Sequence, residues 1–96
     1  MFIISISYTS NLENIDKYLD EHVLYLDKQY RQGHFLLSGK KQPRTGGVIL
    51  SSVNSRSDLN LILEQDPFYR EKLADYDITK FIPSKAVAGL ESLIEN

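Results

Sequence analysis

The hydrophobic positions of the chain change between the two-residue spacing of strands and the three- and four-residue spacing of helices. The first segment carries its apolar residues at every second position, as a strand with one buried face does: Phe2, Ile4, Ile6 and Tyr8. From Leu12 to Gln32 the apolar positions recur at steps of three and four, which predicts one long amphipathic helix that Gly33 ends.

The rest of the chain continues this order of elements. Residues 34–39 and 47–53 predict two strands of a hairpin, joined by a long basic loop. Ser55 is the expected cap of a second helix that passes through Leu59, Ile62 and Leu63. The remaining predictions are a short helix over 67–73 capped by Asp66, a strand over 76–82 and a C-terminal helix over 84–96 with Ser84 as its cap.

This order predicts an α+β, ferredoxin-like fold of the form βαββαβ. Right-handed crossovers place both main helices on the same face of a four-stranded antiparallel sheet. The other face then stays uncovered, and two such sheets packed face to face form a closed dimeric α/β barrel. We therefore expect a single domain over 1–96, with 84–96 as a helical extension, that pairs with a second copy of itself.

Composition and charge narrow the classes of function. The 96 residues carry 13 acidic and 11 basic side chains, a net charge of −2, so there is no overall positive field to attract nucleic acid or an anionic membrane. The chain contains no cysteine, which excludes disulfides and thiolate metal sites and fits a reducing cytoplasm. The apolar run 2–6 is too short for a signal sequence, and we expect a cytoplasmic protein without bound cofactor.

His22 is the first candidate for chemistry, because its spacing from Ile15 and Leu19 puts it on the buried side of the first helix. A buried imidazole needs a hydrogen-bond partner, and an aspartate would fix its tautomer and leave the other ring nitrogen free to move protons. Asp66 is the suggested partner. The alternative is a core histidine bonded to a backbone carbonyl group, with Asp66 serving only as a helix cap.

The other polar candidates carry weaker signals. His34 begins a strand, where a partly exposed polar residue is common, and the two histidines match no closed zinc spacing, so we expect no metal site. Ser38 and Gly39 end the second strand and offer a hydroxyl group and open backbone to a substrate oxygen; the alternative is a simple turn. Among the aromatic residues, Phe68 is a candidate pocket wall.

The loop between the hairpin strands holds three positive charges within five residues: Lys40, Lys41 and Arg44. Such a loop can steer an acidic small molecule towards a site, although charged hairpin tips are more often only solvated.

Taken together, these segments resemble the YciI-like (YCII-related) family of small α/β-barrel proteins. The resemblance rests on the segments 22–26, 33–39, Gly46-Gly47 and, above all, Asp66-Pro67-Phe68. It implies a ferredoxin-like subunit, a homodimer, and an active site built around His22 and Asp66. The sequence departs from the family pattern at Lys40, where a proline is common, and at Lys72, where a glycine is common.

Two classes of function follow. The first is a small-molecule enzyme, similar to an isomerase or lyase, in which His22 and Asp66 act as an acid/base dyad on a carbonyl- or lactone-containing small acid, and Ser38, Gly39 and Phe68 bind that substrate. The second is a non-catalytic module that binds a small ligand or mediates assembly. An RNA-recognition module is disfavoured because residues 47–53 carry no aromatic or basic side chain, and an acylphosphatase-like enzyme because residues 8–11 carry no arginine.

Overall fold

The computed structural model describes residues 1–95 and contains one four-stranded antiparallel sheet with helices packed on one face. The strand order is β2-β3-β1-β4, which confirms the predicted ferredoxin-like βαββαβ topology. The elements, in chain order, are β1 (Phe2–Tyr8), α1 (Leu12–Lys17), α2 (Leu19–Arg31), β2 (Phe35–Lys40), β3 (Gly46–Ser51), α3 (Arg56–Leu63), α4 (Pro67–Arg70) and β4 (Ala74–Lys80).

The main core lies between the helices and the sheet. Alternate residues of the central strand β1 are buried, as the two-residue pattern predicts, and they pack against the inner faces of α2 and α3. The buried members of this main core are Phe2, Ile4, Ile6, Tyr25, Phe35, Ile49, Leu59, Ile62 and Leu63. A second, smaller cluster joins Ile15, Phe68 and Leu73.

The helix predicted from Leu12 to Gln32 is interrupted at Tyr18, whose backbone (φ −108°, ψ 4°) ends α1 and begins α2. The break has a packing reason. Ile15 of α1 belongs to the smaller cluster, whereas Tyr25 of α2 enters the main core, and a change of direction lets each side chain reach its own cluster. The apolar spacing continues across Tyr18, so the sequence pattern alone does not reveal the break.

The C-terminal helix predicted over 84–96 is wrong for the residues that the structure describes; Asn96 lies outside them. Residues 84–90 form no helix, and only a single 3₁₀ turn, Glu91–Leu93, follows. Gly89 has a φ of +102°, which no right-handed helix accommodates, and a short helix with little to pack against is marginal in water. Instead, the Glu95 carboxylate accepts a hydrogen bond of 2.9 Å from the Met1 amino group.

The face of the sheet opposite the helices is uncovered. Across three neighbouring strands, Leu37 pairs with Leu50 and Leu50 with Ile3, so these residues form one apolar row on that face. Leu37 is 61% exposed and Ile3 is 37% exposed. None of the helices within residues 1–95 is long and apolar enough to cross a membrane.

Candidate active site

His22 lies in the first turns of α2, where its backbone N–H donates to the Tyr18 carbonyl group at 2.9 Å. The predicted phase of the helix is correct: the side chain faces inward and only 13% of it is exposed. Its ring stacks on the ring of Phe68, with the centroids 4.1 Å apart and the planes 12° from parallel. This stacking fixes the plane of the imidazole ring.

Asp66 is fully buried and directly precedes α4. Its Oδ1 accepts a hydrogen bond from the Phe68 N–H at 3.0 Å, so Asp66 caps the helix as the Asp-Pro motif predicts. The same oxygen lies 2.8 Å from His22 Nδ1. Asp66 is therefore both the helix cap and the partner of His22.

Tyr76 is the member of the site that the sequence analysis missed. Its hydroxyl group donates to Asp66 Oδ2 at 2.6 Å, from a position on the helix-covered face of β4 opposite Ile6. Burial, and then the nearby Asp66 charge, raise the pKa of Tyr76 far above its ordinary value, so the hydroxyl group stays a donor. A tyrosine on the inner face of a strand needs a partner for its hydroxyl group, which is the signal that would have drawn attention to it.

Asp66 therefore receives hydrogen bonds from three elements: α2 through His22, α4 through Phe68 and β4 through Tyr76. A carboxylate only accepts hydrogen bonds, so the proton of the neutral imidazole is on Nδ1. Nε2 of His22 makes no hydrogen bond with any residue of the described chain and is left as the basic nitrogen. An imidazole held in this way can take and return one proton.

A pocket of about 220 Å³ lies between α2 and the sheet, and it is lined by four of the five predicted site residues. His22, Ser38, Gly39 and Phe68 all line it, whereas Asp66 lies behind His22 and does not. The other lining residues are Ile6, Tyr8, Leu19, Val23, Leu26, Lys40, Arg44, Gly46, Gly47, Val48 and Ile49. Apolar walls with a few polar groups are typical of small-molecule sites.

Two strand residues complete the polar part of the pocket. Ser38 Oγ lies 2.6 Å from the hydroxyl oxygen of Tyr30, which orients the serine hydroxyl group. Gly39 follows it, and nothing lies within 4 Å of where a side chain would start, so there is open space beside it. The Ser38 hydroxyl group can therefore face a polar atom of a ligand.

His34 is not part of this site. Its Nδ1 pairs with Gln29 Oε1 at 2.7 Å, and it borders a different, shallow depression beside α3. Within residues 1–95 no group of three or more histidine, aspartate or glutamate side chains is placed to hold a metal ion.

The topology and the inward-facing histidine define a ferredoxin-like α+β protein with a pocket between its first long helix and its sheet. The family model described as "YCII-related domain" matches residues 1–82. The chain belongs to that family, which confirms the resemblance drawn from its motifs. No curated protein matches the chain in sequence at a significant level.

A solved structure shares the fold. It is the 5-chloro-2-hydroxyhydroquinone dehydrochlorinase of Burkholderia phenoliruptrix AC1100, in complex with 2,5-dihydroxybenzoquinone. The match has a TM-score of 0.74 and covers 85% of this chain and 93% of the other, at 16% sequence identity. At that level of identity the similarity establishes the fold.

Proposed function

We propose that the protein is a small-molecule enzyme in which His22 is the general acid/base and Asp66 orients it. The observation that carries the proposal is the buried 2.8 Å contact between His22 Nδ1 and Asp66 Oδ1, with the same imidazole lining a pocket. Structural histidines also make such contacts, but here the ring lines a cavity and its Nε2 has no partner among the described residues. That the structural neighbour is a dehydrochlorinase supports a small-molecule enzyme as the class.

The reaction that fits this arrangement is proton transfer next to a carbonyl or lactone group of a small acid. His22 Nε2 takes a proton from the carbon beside the carbonyl group, and the electron pair of that C–H bond passes to the carbonyl oxygen as an enolate. The buried Asp66 carboxylate stabilises the imidazolium formed, and the Ser38 hydroxyl group and the backbone at Gly39 contact the substrate oxygen. The proton then returns at another carbon, as in an isomerase, or a leaving group departs with the electron pair, as in a lyase.

The first test is turnover of a panel of lactones and other carbonyl-containing acids by the wild-type chain and by His22→Ala. General acid/base catalysis contributes about 10²–10⁴-fold, so His22→Ala should lower kcat by that factor. His34→Ala is the matched control and should retain full activity, because His34 borders a different depression. Activity that survives in a folded His22→Ala would overturn the mechanism.

The same pair of variants tests the non-catalytic alternative. If His22 has only a structural role, His22→Ala lowers the melting temperature and the panel yields no turnover that depends on His22. His22→Gln, which keeps a hydrogen-bond donor near Asp66, separates loss of fold from loss of chemistry. A folded His22→Gln that has lost the turnover shown by the wild-type chain supports the enzymatic function.

We propose that the working form is a homodimer joined through the uncovered sheet face, in a protein of the cytoplasm. The apolar row formed by Leu37, Leu50 and Ile3 supports this, because a surface strip of this kind is stabilised by burial. Leu37→Asp should convert dimer to monomer in sedimentation velocity. Leu61→Asp is the control, since Leu61 on α3 is 62% exposed, nearly the same as Leu37. A Leu37→Asp protein that remains dimeric would exclude this interface.

A further inference from the structure

The charged side chains that line the pocket are positive, whereas the Asp66 carboxylate lies behind His22 and outside the lining. Besides His22, the charged side chains that line the pocket are those of Lys40 and Arg44. Within residues 1–95 no aspartate or glutamate lines it. The remaining wall is mostly apolar. A pocket of this kind attracts an anion.

The two cations differ in how far they are already neutralised. The Arg44 guanidinium group donates to Asp16 Oδ1 at 2.6 Å, which gives it a carboxylate partner in the free protein. Lys40 makes no ion pair within the described residues. Its neighbour Lys41 donates to Ser7 Oγ at 3.0 Å and does not line the pocket. The cation with free capacity is therefore Lys40.

Strand geometry brings Lys40 to the same side as the polar groups of the site. Lys40 is the last residue of β2 and follows Ser38 by two positions, so their side chains leave the same face of the strand. Its partner across the ladder is Gly47, which has no side chain to block this position. A lysine so placed lays its apolar stem along the wall and keeps its ammonium group at the mouth.

We propose that Lys40 makes the site selective for substrates that carry a carboxylate, which its ammonium group binds at the mouth while the reacting carbonyl group meets Ser38 and His22. This inference rests on the proposed function and names its substrate class. A single free cation beside apolar walls matches one negative charge on a compact molecule better than a polyphosphate, which needs several donors. Arg44 adds to the positive field from its place beside Asp16.

The test is a binding experiment that needs no turnover. Two probes of nearly equal shape, the γ-carboxylate of γ-butyrolactone and its methyl ester, are titrated into the wild-type chain, Lys40→Gln and Lys41→Gln, and the backbone N–H signals of Gly39 and Gly47 are followed by NMR. We expect the wild type to bind the carboxylate about three- to tenfold more tightly than the ester, a preference typical of one partly shielded ion pair. Lys40→Gln should remove this preference, and Lys41→Gln should keep it.

A second measurement is the dependence of this preference on salt concentration. Raising the ionic strength from about 0.05 M to about 0.5 M should reduce the preference for the carboxylate in the wild type and leave ester binding unchanged, because screening acts on the ion pair alone. The proposal is overturned if the ester binds as tightly as the carboxylate, if neither probe shifts the two glycine signals, or if Lys40→Gln keeps the preference.

Failure of this inference and failure of the proposed function give different results. If neutral lactones are turned over in a His22-dependent way but the two probes bind alike, the acid/base function stands and Lys40 has no selective role. If the carboxylate preference depends on Lys40 but no turnover depends on His22, the anion site stands in a protein that binds without catalysis.

Discussion

His22 Nδ1 lies 2.8 Å from Asp66 Oδ1, and the Asp66 side chain has no exposed surface. The pair joins residues 44 positions apart in the chain, so only the folded protein can form it. The same Asp66 oxygen orients the imidazole and caps α4.

The tautomer of His22 is the first prediction. Because Nδ1 faces a carboxylate, we expect neutral His22 to carry its proton on Nδ1 and to leave Nε2 unprotonated. Proton–nitrogen correlation spectra of the imidazole groups report this directly. In Asp66→Ala the acceptor beside Nδ1 is lost and the tautomer of His22 should change, while His34, which pairs with Gln29, serves as the internal reference.

Tyr76→Phe provides a milder version of the same measurement. It removes the 2.6 Å hydrogen bond to Asp66 Oδ2 and leaves the contact between Asp66 Oδ1 and His22 Nδ1 in place. Loss of a hydrogen bond to a charged group costs about 1.5–3 kcal/mol of stability, but the His22 tautomer should persist. A tautomer that is the same in wild type and in a folded Asp66→Ala would contradict the proposed orientation of the ring.

Stability at alkaline pH is the second prediction. Burial, followed by the charge of Asp66, raises the pKa of both Tyr25 and Tyr76 far above the ordinary value of 10.0. The folded state therefore keeps two protons that the unfolded chain releases above that pH, so the free energy of unfolding is unaffected below about pH 10 and falls as the pH rises beyond it.

Ultraviolet absorbance measures this effect. Tyr25 and Tyr76 should ionise only together with unfolding, and Tyr25→Phe should reduce the absorbance step that accompanies unfolding by the contribution of one tyrosine. Ionisation of all six tyrosines in the still-folded protein would contradict the assignment.

The third prediction concerns Lys72, which has a φ of +57° in the turn after α4. This left-handed conformation costs a residue with a Cβ atom about 1 kcal/mol, and glycine adopts it freely. Lys72→Gly should therefore raise the free energy of unfolding in urea by about 0.5–1 kcal/mol. Lys72→Ala keeps the Cβ atom and should give little of this gain, which separates the backbone effect from loss of the charge.

Gly46 gives the fourth prediction. A Cβ atom added there would lie 1.7 Å from the carbonyl oxygen of Ile6, where β3 pairs with β1. Gly46→Ala has to displace one central strand from the other and should lower stability by about 3 kcal/mol. Gly39→Ala is the comparison for stability, because a Cβ atom at Gly39 meets nothing within 4 Å and should cost well under about 1 kcal/mol.

The sequence predicts the parts of the molecule that helix periodicity and helix capping determine. Helix phase placed His22 inward, and the Asp-Pro signal placed Asp66 at a helix start; both positions follow from spacing and capping alone. The contact between Tyr76 and Asp66 depends on how β4 lies against α4, which no local pattern encodes. The sequence therefore indicated His22 and Asp66 but not the hydrogen bond from Tyr76.

The two errors in the helices have a common origin. The apolar spacing runs unbroken through Tyr18, and it is also present over 86–94, although α1 ends before Tyr18 and the second stretch forms no α-helix. Periodicity states which residues face inward if a helix forms, and whether it forms depends on packing against other elements. At Tyr18 two separate clusters divide the helix, and after Pro83 little of the structure lies behind the apolar side chains.

Three parts of the chain, far apart in sequence, must be in place before Asp66 is fully bonded: α2, α4 and β4. The imidazole signal of His22 is consequently a reporter of folding as well as of chemistry. A variant in which that signal keeps its native position has assembled α2, α4 and β4 around Asp66, whichever residue was changed. The same signal can therefore be used to screen variants for correct folding before any substrate is known.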